Sequence, residues 1–139
     1  MRTYFDSSAY AKRFVEEPGS QRIDDICQKA TEVGLSIICF PEILSALNRR
    51  VREKSISKKH YAAAKERFAK ELSDVEIINI TPEVVARTGL LLESHPLRAM
   101  DAMHIACAIE WNSGLFVTCD RRQGDAARKA KLRTEFVSS

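Results

Sequence analysis

Apolar and polar positions along this chain switch repeatedly between strand-like runs and helical spacing. Arg2 to Phe5, RTYF, predicts a short strand, and a helix follows from about Ser8 to Glu16 until Pro18-Gly19 breaks it. Ile23, Ile26, Cys27 and Ala30 share one face of a second helix over about Ser20–Thr31. Leu35 to Phe40, LSIICF, is a continuous apolar run of the kind shown by parallel strands buried on both faces. Pro41 then stands at a natural first helical position, opening a helix to about Glu53. Ser57 suits the N-cap of a long helix reaching Leu72, with Tyr61, Ala64, Phe68 and Leu72 at helical spacing. Glu76 to Ile80 reads as a strand. Thr81-Pro82-Glu83 reads as cap, first position and dipole-matched acid of a helix that ends before Pro96. The next helix carries Asp101 and ends near Asn112-Ser113-Gly114. Leu115 to Cys119 is another apolar strand, and a helix over about Arg122–Ala130 and a strand over Thr134–Val137 close the chain.

Strands that alternate with helices predict an α/β fold with a mainly parallel central sheet. The length, 139 residues, suits one domain, and no internal repeat or linker interrupts it. In such sheets, ligands bind in the crevice beyond the carboxyl ends of the strands.

Composition changes this picture little. The chain is 45% apolar and 29% charged, as ordinary globular proteins are, and a net charge of +3 does not by itself demand a nucleic-acid partner. Cys27, Cys39, Cys107 and Cys119 form no CxxC pair and carry no zinc-site spacing, so they read as small buried hydrophobes in a reducing compartment. No apolar run approaches the length of a membrane span, and the N-terminal MRTYFDSS has no signal-peptide apolar segment. The expected location is the cytoplasm.

The chemistry lies in the acids. RAMDAMHIACAIEW, residues 98 to 111, is an almost wholly apolar stretch that nevertheless holds Asp101. Burying a bare carboxylate costs several kcal/mol or more unless it is paired, hydrogen-bonded or metal-bound. Three further acids sit where a strand hands over to a helix: Asp6 after RTYF, Glu42 after LSIICF and Pro41, and Asp120 after LFVTC. If the strands are parallel, these three share one sheet edge, and Asp101 joins them if its helix starts there. Each acid has an ordinary reading as well. Asp6 and Asp120 suit helix caps or turns, and Glu42 answers a helix dipole. Crowded together, four carboxylates repel unless a cation holds them, and hard divalent cations take oxygen ligands.

Asp6-Ser7-Ser8 after a first strand, Pro41-Glu42 opening a helix, Arg98 to Ala108 with Asp101, and Thr118-Cys119-Asp120 after a late strand together resemble the PIN-domain nucleases. The resemblance spans nearly the whole chain and is closest to the toxin ribonucleases of VapBC-type toxin–antitoxin pairs. It implies a PIN-like three-layer α/β/α sandwich and an endoribonuclease dependent on Mg²⁺ or Mn²⁺. The acidic quartet maps onto Asp6, Glu42, Asp101 and Asp120, with Ser8 and Thr118 at auxiliary hydroxyl positions. It also implies a homodimer and a cognate antitoxin protein. Lys131 departs from the pattern, standing where a glycine often ends the last helix. The alternative is a PIN-fold RNA- or protein-binding module that has lost catalysis.

Two basic clusters suit an RNA partner, one from Arg49 to Lys59 and one from Arg121 to Arg133, although such runs are often only solvated helix faces. Arg49, two turns beyond Glu42, and Arg121 and Arg122, directly after Asp120, are the candidates for phosphate contacts. His104 reads as a packed or supporting histidine. Tyr10, Phe14, Ile23, Ile26, Tyr61 and Phe68 are more than one small core is expected to hold, so some of them are expected to form an exposed apolar groove for an antitoxin segment. Other phosphate enzymes fit less well: a haloacid-dehalogenase-like site wants an aspartate where Ser8 stands, and a response-regulator receiver wants an acidic pair after the first strand.

Overall fold

In the computed structural model, which describes residues 1–138, strands β1 (Arg2–Phe5), β2 (Glu32–Ser36), β3 (Glu76–Ile78), β4 (Leu115–Thr118) and β5 (Thr134–Phe136) form one sheet. Their order is β3-β2-β1-β4-β5, and every neighbouring pair is parallel. Helices α1 (Ser7–Tyr10), α2 (Ser20–Lys29), α3 (Cys39–Arg52), α4 (Lys58–Glu71), α5 (Pro82–Ser94), α6 (Ala99–Glu110) and α7 (Arg121–Lys129) connect them. The alternating side chains of the strands send Phe5, Leu35 and Val117 into a core with α1 to α4, and Tyr4 and Phe116 into a core with α5 to α7. Both faces are covered, as the expected three-layer sandwich requires. No helix among the described residues is long and apolar enough to cross a membrane.

The strand order places β1 at the centre, with successive strands added outward on either side. The topological switch point therefore lies between β1 and β4, and the crevice opens at their carboxyl ends.

Several boundaries differ from the sequence expectation. The run Leu35–Phe40 is not one strand: β2 ends at Ser36, and Cys39 already begins α3. Cys39, Ile43 and Leu47, spaced four apart, form the buried face of that helix, so the apolar run joins a strand end to a first helical turn. Pro41 accordingly sits third in the helix, where its missing N–H still costs no intrahelical bond. The helix expected over Ser8–Glu16 is α1 followed by a 3₁₀ turn at Ala11–Arg13. Its continuation is pinned as a loop, because buried Lys12 reaches Glu17 at 3.1 Å and the Pro18 carbonyl at 2.9 Å.

The expected groove is also corrected. Tyr10, Phe14, Ile23, Ile26 and Phe68 are all buried, and Tyr61 packs against them. Tyr10, Phe14, Phe40 and Phe68 pack edge-to-face and tilted as an aromatic cluster, which is how one small core accommodates them. The large apolar side chains left exposed lie elsewhere: Val85, Leu90 and Leu92 on α5, with Met1, Ile37, Ile77 and Met100.

Two further positions shape the sheet. Gly34 of β2 lies under Trp111, where an added Cβ would fall 2.7 Å from the indole. Lys131 adopts the left-handed conformation, φ 70°, with Leu132 N–H bonded to the Ala127 carbonyl at 3.0 Å. This is the helix-ending geometry that usually selects glycine, and here a lysine bears it.

Candidate functional site

Asp6 is the first residue beyond β1 and caps α1. Its Oδ1 accepts from Ala9 N–H at 3.0 Å and from Ser8 Oγ at 2.7 Å, and its Oδ2 accepts from Thr118 Oγ1. Ser8 Oγ also accepts from Cys119 N–H, and Thr118 Oγ1 from Asp120 N–H, so the two hydroxyls bolt the ends of β1 and β4 together around Asp6. Burial pushes the Asp6 carboxyl above its ordinary pKa, and the nearby His104 and the two hydroxyls offset only part of that.

Glu42 lies in the first turn of α3. Its Oε1 accepts from Ser7 Oγ at 2.6 Å and is 2.7 Å from His104 Nε2. Burial alone would raise its pKa, but the bonds to His104 and Ser7 outweigh it and hold Glu42 below the usual carboxylate value.

Asp120 stands at the N-cap of α7. There Oδ1 accepts from Arg122 N–H at 2.9 Å and from Gln123 N–H at 3.3 Å. The capping readings of Asp6 and Asp120 are therefore correct as far as they go. They do not compete with a site, because the same carboxylates face the crevice.

Asp101, in the first turn of α6, is half-buried, and no described group donates a hydrogen bond to it. Burial raises its pKa first, then the charge of Asp120, with Asp6 adding to both; His104 and Arg98 pull the other way. The apolar neighbours of Asp101 in sequence explain themselves: Ala102, Ile105, Ala106, Cys107 and Ala108 pack into the core while the first turn reaches the crevice.

All four carboxylates line one cavity of about 270 Å³ together with Ser7, Ser8 and His104. Among the described residues, no three acidic, histidine or cysteine side chains are close enough to enclose a metal ion by themselves. A second hollow, sharing Asp101 and Asp120, is lined by Arg98, Arg121, Arg122 and Asp125. On the other flank Arg49 shares a hollow with Glu42 and Met100. The structure thus sets basic side chains on both sides of an acidic centre. Arg121 also lies 4.6 Å over the ring of Phe136. Within the first basic cluster Arg50 is instead paired to Glu17, at 2.6 Å.

Sequence reasoning missed three neighbours of this centre. Arg98 was readable from its place three residues before Asp101. Ser7 and Tyr4 were not, because their partners lie far along the chain. All four cysteines are free, and burial pushes the Cys27 thiol up to about 11 and the Cys119 thiol up to about 12, as inert packing groups.

A parallel sheet with an acidic crevice at its switch point defines a class, and the PIN domain family model matches residues 3–129. The chain belongs to the PIN-domain family. Among curated proteins it is similar to ribonuclease VapC45 of Mycobacterium tuberculosis, 29% identical over 132 residues that cover 94% of this chain and 92% of that one. Among solved structures it shares its fold with M. tuberculosis VapC20, described as a sarcin-ricin loop cleaving toxin, with a TM-score of 0.71 at 18% identity over 89% of this chain and 94% of that one. A chain of the VapBC2 complex of Rickettsia felis bound to a promoter DNA fragment gives a TM-score of 0.70 at 18% identity, covering 97% of this chain and 98% of that one.

Proposed function

We propose that this protein is a metal-dependent endoribonuclease that hydrolyses RNA phosphodiester bonds in the cytoplasm as the toxin of a toxin–antitoxin pair. The observation that carries the reading is the convergence of Asp6, Glu42, Asp101 and Asp120 on one cavity flanked by arginines. The donor set is all carboxylate, which suits a hard divalent cation such as Mg²⁺ or Mn²⁺. Burial holds Asp6 above its ordinary pKa, and burial with the charges of Asp120 and Asp6 holds Asp101 above its own, so a bound cation would favour the ionised form of both.

Asp6, Glu42, Asp101 and Asp120 would hold the ion. When bound, it supplies Lewis acidity and positive charge at the scissile phosphate. Ser8 and Thr118 fix Asp6 against rotation. Arg49, Arg121 and Arg122, with Arg98, draw the RNA backbone across the crevice by phosphate contacts that carry no sequence information. A homodimer and a cognate antitoxin complete the reading. The exposed apolar side chains of α5, with Ile37, Ile77 and Met100, offer the surface for protein contacts. An antitoxin that set a basic side chain among the four acids would compete with the metal.

The test is turnover of a folded RNA by the purified protein in Mg²⁺ or Mn²⁺ and in chelator. Cleavage that needs the ion supports the reading. RNA binding without cleavage in either ion would return the protein to the silent-module alternative.

A further inference from the structure

His104 is 2% exposed and lies between two hydroxyls and a carboxylate. Its Nδ1 is 2.6 Å from the Tyr4 hydroxyl, and its Nε2 is 2.7 Å from Glu42 Oε1. Ser7 Oγ stands 3.2 Å from the same Nε2 and donates to the same Oε1 at 2.6 Å. These contacts leave one consistent assignment of hydrogens. Tyr4 is fully buried in β1, stacked on Phe116 with ring centroids 5.4 Å apart, and the only described polar partner of its hydroxyl is Nδ1. A buried O–H left without an acceptor is strongly disfavoured, so Tyr4 donates and Nδ1 accepts. The ring hydrogen then sits on Nε2 and is donated to Glu42 Oε1, the one charged acceptor in reach.

Oε1 thus takes two donors, from Ser7 and His104, while no described group donates to Oε2. Resting on the nuclease reading, we propose that Tyr4 and His104 form a positioning relay for Glu42. The relay runs from the sheet core through the imidazole to the carboxylate, occupies Oε1, and presents Oε2 as the single oxygen that Glu42 offers to a cation. Asp6, by contrast, is fixed by hydroxyls and a backbone N–H, and Asp101 by no described hydrogen bond. Glu42 is therefore the carboxylate whose aim depends on a second side chain that itself depends on a third. Neither Tyr4 nor His104 needs to touch RNA or the reacting atoms.

The decisive measurements are Mn²⁺ affinity by calorimetry on the RNA-free protein, the KM for RNA, and thermal melting. Tyr4→Phe keeps the stacked ring and removes only the hydroxyl. His104→Gln keeps an N–H donor near the Nε2 position, and His104→Leu keeps none. We expect Tyr4→Phe and His104→Leu to weaken Mn²⁺ binding about 10- to 100-fold, the usual cost of losing a group that orients a ligand, with His104→Gln recovering most of it and KM for RNA unchanged. Wild-type Mn²⁺ affinity in folded Tyr4→Phe and His104→Leu proteins would overturn the relay and leave the nuclease reading intact. A wild-type protein that binds no Mn²⁺ would overturn both. Should His104→Leu fail to fold, ring ¹⁵N shifts of His104 in the wild-type protein decide the matter: hydrogen on Nε2 supports the relay, and hydrogen on Nδ1 refutes it.

Discussion

Asp101 answers at the residue scale why an apolar helix tolerates a carboxylate. Its charge is disfavoured by burial and by Asp120, and no described group bonds to it. A group whose pKa is raised by folding costs stability when it is ionised, and that cost fades as pH falls through the raised value. Asp101→Asn should therefore raise Tm by a few degrees at pH 7 in metal-free buffer, as calorimetry would show. The same change should cut cleavage by about 10²-fold or more, as loss of a preorganised charged group does. A folded Asp101→Asn protein of wild-type activity would remove Asp101 from the site. Arg121 and Arg122 make a different kind of prediction. Replacing both with Ala should leave the maximal cleavage rate standing, weaken RNA binding, and lower the slope of log K against log salt by about 0.7 per lost contact with a single strand. An unchanged slope would make them solvated surface.

Among the elements, the ends of helices carry the strain and the ion pairs carry the pH dependence. Lys131 holds a left-handed conformation that costs a residue with a Cβ about 1–2 kcal/mol. Lys131→Gly should stabilise the fold by up to about 1 kcal/mol in urea titration, the gain being trimmed by the flexibility that glycine adds to the unfolded chain. Glu71 joins α4 to α1 and its 3₁₀ turn by accepting from Tyr10 at 2.6 Å and Arg13 at 3.1 Å. Burial pushes Glu71 up, but the Arg13 and Tyr10 bonds and the charges of Arg13 and Arg67 outweigh it, so its pKa is lowered in the fold. Its contribution is thus present above the ordinary value near 4.5 and is lost as pH falls below it. Melting temperatures from pH 6 to pH 3 should fall less steeply in Glu71→Gln than in the wild type; parallel curves would refute this. Element boundaries were the least readable feature of the sequence. LSIICF reads as one apolar run, yet Leu35-Ser36 ends a strand, Ile37-Ile38 form a turn and Cys39-Phe40 begin a helix, because Leu35 and Cys39 on either side of that turn are both buried. The helix expected to reach Glu16 stops early because Lys12 folds back to Glu17 and Pro18, a contact that no periodicity encodes.

For the whole molecule, the parallel sheet was legible because strands and helices alternate. The acids were legible because Asp6 and Asp120 come just after the ends of β1 and β4, and Glu42 lies in the first turn of the helix that follows β2. Parallel pairing then fixes Asp6, Glu42 and Asp120 at one edge, and α6 brings Asp101 there. What was not legible depends on contacts between distant residues: Ser7 and His104 meeting Glu42, Tyr4 meeting His104, and an aromatic cluster that absorbs the side chains expected to form a groove. The central claim is that the acidic crevice works by holding a divalent cation. It is tested most directly by the single-turnover cleavage rate of one RNA as Mn²⁺ is added back to chelator-treated protein. The account predicts a rate indistinguishable from background without the ion, rising and saturating with Mn²⁺. A rate that is already full in chelator and indifferent to Mn²⁺ would contradict it.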